Sequence, residues 1–230
     1  MRIKICGVKC PADVFVATQA GATAVGINLV PESLRWIGGV NAAHRLIMDS
    51  KATDKLLWAG VFVNPDLVEL VRITTILRLQ IVQLHGEETP DFVLALKRRL
   101  PKNVAIWKAM RVASADDLEP LKTYQCDAWL VDAKVAGTRG GSGKTFDWSI
   151  LQRMQRSVPL VLSGGLNPTN VAQAIHVVAP DWVDVASGVE STPGVKDAAL
   201  IAAFVRAATL RNTTRWAERA VPRQSSSNGR

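Results

Sequence analysis

The sequence predicts an α/β fold: a (βα)8 barrel built as one domain. Two observations carry this expectation. Short runs rich in Val, Ile and Ala alternate eight times with segments of helical period along residues 1–208. Reactive or polar side chains then stand at the ends of several of those runs, where barrel enzymes keep their chemistry. The length of 230 residues suits one domain of this kind. A doubly wound open sheet is the alternative, because alternation alone does not require closure.

The elements follow in order. Arg2–Cys6 reads as the first strand, with a helix starting near Pro11. Thr23–Leu29 is the second, before a helix near Gly39. Leu57–Val63 leads into Asn64-Pro65, a helix start with proline in the first turn. Leu79–Gln83 precedes Thr89-Pro90-Asp91, which has the same form. Val104–Ala109 precedes Ser114, followed by Asp116 and Asp117 in the first turn. Ala128–Asp132 comes next, with a helix near Asp147. Leu160–Leu162 precedes Asn167-Pro168, and Trp182–Val185 precedes Asp197. The glycine-rich run Gly137–Lys144 falls in the sixth βα loop, on the catalytic face. Reading it instead as an interdomain linker would leave strand–helix units stranded on both sides.

Composition narrows the function classes. No stretch of about 18 uncharged apolar residues appears, so no membrane partner is expected. The first residues read as a strand and carry neither an apolar signal core nor a cleavage site, so the expected location is cytoplasmic. The three cysteines, Cys6, Cys10 and Cys126, form no disulfide framework. No histidine or second pair completes a tetrahedral set with Cys6 and Cys10, so no metal is expected. The net charge of +8 suggests nucleic acid, but residues 206–230 hold six arginines and one glutamate. Most of the excess therefore sits in residues 206–230, and the tail, 209–230, reads as disordered from its polar composition. No nucleic-acid partner is expected. The mildly basic body would attract an anionic small molecule.

The candidate chemistry lies at the strand ends. Cys6 closes the first strand, Gln83 and His85 the fourth and Asp132 the sixth. Asp184 lies near the end of the eighth. A lone cysteine is ordinarily a small buried hydrophobe. Lys4, however, is two residues away and shares a strand face with Cys6. Its ammonium is expected to lower the pKa of the thiol. Asp132 ends an apolar run at a charge, so an acid and a base on opposite rims would suit proton transfer. Ser163-Gly164-Gly165 and Ser187-Gly188 follow the seventh and eighth strands. Gly164, Gly165, Ser187 and Gly188 are the phosphate-binding candidates, since loops there hold phosphate through backbone N–H groups. Arg35, in the loop after the second strand, can clamp a carboxylate.

With these residues in view, the chain resembles phosphoribosylanthranilate isomerase of tryptophan biosynthesis, across residues 2–207. The resemblance rests on Lys4-Ile5-Cys6-Gly7, Val61-Phe62-Val63-Asn64, Val82-Gln83-Leu84-His85-Gly86, Gly140–Trp148, Leu162–Pro168, Ser187–Glu190 and Pro193–Asp197. It implies a TIM barrel and an Amadori rearrangement of N-(5-phosphoribosyl)anthranilate, without metal or organic cofactor. It implies general acid Asp132, general base Cys6, carboxylate contact through Arg35 and phosphate held around Gly164, Gly165, Ser187 and Gly188. Gln83, His85 and Asp184 are the further substrate-binding candidates. Asn28, Leu34 and Cys10 depart from the family pattern. The expected partner is a small phosphorylated substrate, with the chain a monomer or homodimer. A related isomerisation of the histidine pathway uses paired aspartates, and Cys6 argues against it.

Overall fold

The structure is a computed structural model describing residues 1–50, 52, 55–132, 147–152 and 154–210. The expectations for the glycine-rich run Gly137–Lys144 and for the tail beyond residue 210 lie outside the described residues. Eight parallel strands close on themselves in chain order: β1 (Arg2–Cys6), β2 (Ala24–Asn28), β3 (Leu57–Phe62), β4 (Ile81–Leu84), β5 (Ala105–Arg111), β6 (Ala128–Asp132), β7 (Leu160–Ser163) and β8 (Trp182–Val185). Closure comes from β1 pairing with β8, with Lys4 beside Asp184. The open-sheet alternative is thereby excluded.

Helices α1 (Pro11–Ala20), α2 (Val40–Asp49), α3 (Leu67–Ile76) and α4 (Pro90–Arg99) follow the first four strands. Their starts are written locally. Asp66 accepts hydrogen bonds from the N–H groups of Val68 and Glu69, and Thr89 accepts one from Phe92. Both satisfy donors that the first helical turn cannot pair internally. The helix expected after Ser114 is instead a 3-10 segment, Ala115–Thr123. Pro120 lies inside it and has no N–H for an α-helical bond. Short α5 (Ser149–Gln152), α6 (Val171–Val178) and α7 (Ala198–Thr209) complete the ring. Asp197 caps α7 by accepting from the Leu200 N–H.

Strand alternation divides the apolar residues between two cores. Ile3, Ile5, Val25, Ile27, Val82, Leu84, Val183 and Val185 face outward, into the layer under the helices. Ala24, Ala59, Ile81, Trp107, Ala109, Ala128, Leu130, Val161 and Trp182 fill the barrel interior. Trp107 and Trp182 meet edge to face, with ring centroids 5.1 Å apart. Such a pair adds about 0.5–1.5 kcal/mol beyond burial. Arg2 lies over the Trp182 ring at 4.9 Å. This apolar plug fills the end where strands begin, so polar side chains collect where they end.

A second two-stranded element was not anticipated from the sequence. After β8 a 3-10 turn, Ser187–Val189, leads into the hairpin β9 (Glu190–Thr192) and β10 (Val195–Lys196). Pro193 and Gly194 form its tip. Among the described residues no helix is long and apolar enough to cross a membrane.

Candidate active site

The interior register brings the expected residues to one mouth. Lys4 and Cys6 from β1, Gln83 from β4, Asp132 from β6, Ser163 from β7 and Asp184 from β8 all follow the inward parity of the apolar plug. His85 continues β4 in the same parity, and its ring Nε2 meets the Gln83 amide Nε2. Gln83 is buried, and its Oε1 has no hydrogen-bond partner among the described residues. An acceptor left so costs about 1–3 kcal/mol unless a ligand donates to it.

Cys6 is a free, buried thiol. Lys4 does share its face, as expected, but the expected net lowering of its pKa does not occur. Burial pushes the thiol up, Lys4 pulls it down, and Asp184 pushes it up again, so the net direction is upward. The main physical reason is burial of the thiol, and the partnered state of the ammonium adds to it. Lys4 Nζ donates to Asp184 Oδ1 at 2.9 Å, and both side chains are buried. Burial opposes the Lys4 charge, but Asp184 and Cys6 together outweigh it and raise the lysine. Asp184 Oδ2 also accepts from Ser163 Oγ at 3.4 Å. Its carboxylate thus faces Lys4 and Ser163.

His85 is neutral at ordinary pH. Burial and then the nearby Lys4 charge push it from 6.5 to about 4. It can donate and accept single hydrogen bonds but carries no positive charge there.

Arg35 reaches over Gly7 at the end of β1. A Cβ on Gly7 would lie 2.7 Å from Arg35 Cδ. Arg35 Nε donates to Glu190 Oε1 and Nη2 to Oε2, each at 2.7 Å. Lys196 Nζ donates to the same Glu190 Oε1 at 2.8 Å. Burial raises the Glu190 carboxyl, but hydrogen bonds from Arg35 and Lys196 outweigh it and hold the group below its usual range. A guanidinium has five N–H donors, so this pairing leaves an edge for a second carboxylate. Glu190 and Lys196 belong to the sequence motifs, but the motifs alone give them no role. Only the β9–β10 hairpin reveals that they brace Arg35.

The two glycine loops pack against each other. Gly164 and Gly165 have φ of 87° and 64°, a region other residues enter at a cost. A Cβ on Gly188 would fall 1.9 Å from Leu166 O, so the loop after β8 lies directly on the loop after β7. Ser187 opens the 3-10 turn beside them. Arg111, absent from the sequence candidates, ends β5 in register with Asp132 and is exposed. Its signal was available: it stands two residues beyond inward-facing Ala109.

An acid, a thiol, two neutral hydrogen-bonding groups and a glycine cradle at one mouth suit proton transfer on a phosphorylated small molecule. The comparisons with known proteins agree. The family described as N-(5'-phosphoribosyl)anthranilate (PRA) isomerase matches residues 3–207. N-(5'-phosphoribosyl)anthranilate isomerase of Trichlorobacter lovleyi is 40% identical over 209 residues, spanning 90% of this chain and 97% of that protein. The crystal structure of phosphoribosyl anthranilate isomerase from Thermotoga maritima superposes with a TM-score of 0.82 at 38% identity, covering 90% of this chain and 98% of that one. A further phosphoribosyl anthranilate isomerase structure, in complex with reduced 1-(o-carboxyphenylamino)-1-deoxyribulose 5-phosphate, matches at 35% identity and TM-score 0.77, covering 90% and 98%.

Proposed function

The chain belongs to the N-(5'-phosphoribosyl)anthranilate isomerase family, an isomerase family of tryptophan biosynthesis, and from that premise we propose that it converts N-(5'-phosphoribosyl)anthranilate to 1-(2-carboxyphenylamino)-1-deoxyribulose 5-phosphate by an acid–base Amadori rearrangement. The observation that carries the reading is the convergence of Cys6 and Asp132. They end β1 and β6 on the inward face of a single mouth.

Asp132 donates a proton to the furanose ring oxygen as the C1'–O bond breaks. The anthranilate nitrogen supplies the electron pair that forms the C1'=N Schiff base. Cys6, as thiolate, removes the C2' proton, and those electrons form the C1'=C2' bond of an enolamine. Cys6 passes its proton to solvent, a solvent proton adds to C1', and loss of the enol proton gives the ketone. No atoms are gained or lost, and no metal or organic cofactor enters the scheme.

The remaining groups orient the substrate. Arg35, braced by Glu190, offers its open edge to the anthranilate carboxylate. The phosphate lies in the cradle of Gly164, Gly165, Ser187 and Gly188. The Gln83 Oε1 acceptor takes a sugar hydroxyl, with His85 as its neutral neighbour. Asp184 acts on the substrate from beneath, through the groups it holds.

The test is turnover of freshly made substrate, followed by loss of anthranilate fluorescence, with the reaction repeated in heavy water. One deuterium at C1' of the product is expected. Turnover without solvent deuterium at C1' would overturn the enolamine route. No turnover would overturn the assignment.

A further inference from the structure

We propose that Lys4 and Asp184 are positioning residues that set the ionisation of the Cys6 thiol with opposite sign, Lys4 favouring the thiolate and Asp184 restraining it. The proposal rests on the reading of Cys6 as the proton acceptor, and it extends that reading to what governs the base.

The geometry comes from three strands. Lys4 Nζ donates to Asp184 Oδ1 at 2.9 Å across the β1–β8 closure. Gly26 on β2 stands in register with Cys6. A Cβ at Gly26 would lie 2.9 Å from Cys6 Sγ and 3.0 Å from Lys4 Nζ. Thiol and ammonium therefore flank the same small space, and it stays open because residue 26 has no side chain. With the thiol protonated, Lys4 and Asp184 sum to zero charge. Ionising Cys6 leaves the buried trio with a net negative charge, which burial disfavours.

Other charged groups face this trio from the mouth. Lys196 from β10 favours the thiolate, and it and Arg35 share Glu190 of β9 as a counter-charge. Arg35 also feels Cys6. His85 beyond β4 is neutral and adds no charge. Burial is the largest restraint on the thiolate, Lys4 is its strongest attraction and Asp184 its strongest charge repulsion. The arrangement keeps the resting thiol protonated and slow to oxidise, since the thiolate is the reactive form. It also makes the thiolate, once formed, a stronger base than one at a low pKa.

The experiment titrates Cys6 directly in the full chain, with Cys10→Ser and Cys126→Ala as background. Thiolate ultraviolet absorbance is read against pH, and the Cys6→Ser chain is subtracted. Asp184→Asn should raise the thiolate-to-thiol ratio at fixed pH by about tenfold or more, and Lys4→Met should lower it by a similar factor. Lys4→Met with Asp184→Asn leaves no unpaired buried charge, so it folds even if a single variant does not. It should titrate above the background chain, because the attraction of Lys4 is the larger effect. Single variants that move the same way, or a double variant that titrates like the background chain, would overturn the proposal. The acid limb of kcat/KM should follow the same displacements. If the thiol moves as stated and that limb does not, Cys6 as base is overturned and the electrostatic pairing is not.

Discussion

Asp132 and His85 show how the same mouth sets two residues to different tasks. Asp132 ends β6 in register with Arg111 and Ser163, and the proposed role of its carboxyl is to hand a proton to the sugar ring. Asp132→Asn should fold normally and lose about 10²–10⁴-fold in kcat, since an amide donates no full proton. Wild-type turnover in that variant would remove Asp132 from the mechanism. His85 instead leaves an acid signature on stability. Its folded value of about 4 lies below the 6.5 of an unperturbed histidine. As pH falls below 6.5 the unfolded chain binds a proton that the folded chain refuses. Stability is therefore full above 6.5 and declines toward pH 4, by up to about 3 kcal/mol. Urea denaturation at pH 7 and pH 4.5 should show this loss in the wild type and a smaller one in His85→Asn. Equal losses in both would contradict a buried neutral imidazole.

At the scale of elements, the loops after β7 and β8 behave as one unit. Gly188 has the backbone of Leu166 where its Cβ would be. Gly188→Ala should cost about 1–3 kcal/mol through overpacking. It should also raise KM for the phosphorylated substrate by separating the two glycine loops. Unchanged Tm and KM would mean the loops are not mutually packed. The strands themselves were legible in the chain, because Val/Ile runs with inward polar ends read directly as barrel strands, as in Arg2–Cys6 and Ala128–Asp132. The 3-10 segment after Ser114 was not, because the capping signal at Ser114 is strong while its outcome depends on Pro120. The β9–β10 hairpin escaped because its strands are only three and two residues long. The direction of the Cys6 shift escaped for a different reason. Lys4 is two residues away in sequence, whereas the burial of the thiol and the counter-ion Asp184, 180 residues from Lys4, arise only through barrel closure.

At the scale of the molecule, β1 pairs with β8 and closes the barrel among the described residues. The last helix, α7, lies against α1, α6 and β1 and ends at Thr209. A chain ending at residue 210 should therefore match the full chain in Tm and kcat. A large loss in either would show that the basic tail docks on the barrel. The same closure puts Cys6 and Asp132 at one mouth, and their cooperation as base and acid is the central claim. Its most direct test is the steady-state turnover of N-(5'-phosphoribosyl)anthranilate by Cys6→Ser beside wild type, at matched folding by circular dichroism. A hydroxyl is far too weak a base to take the C2' proton, so kcat should fall by about 10² or more. Turnover by Cys6→Ser at close to the wild-type rate would contradict the account.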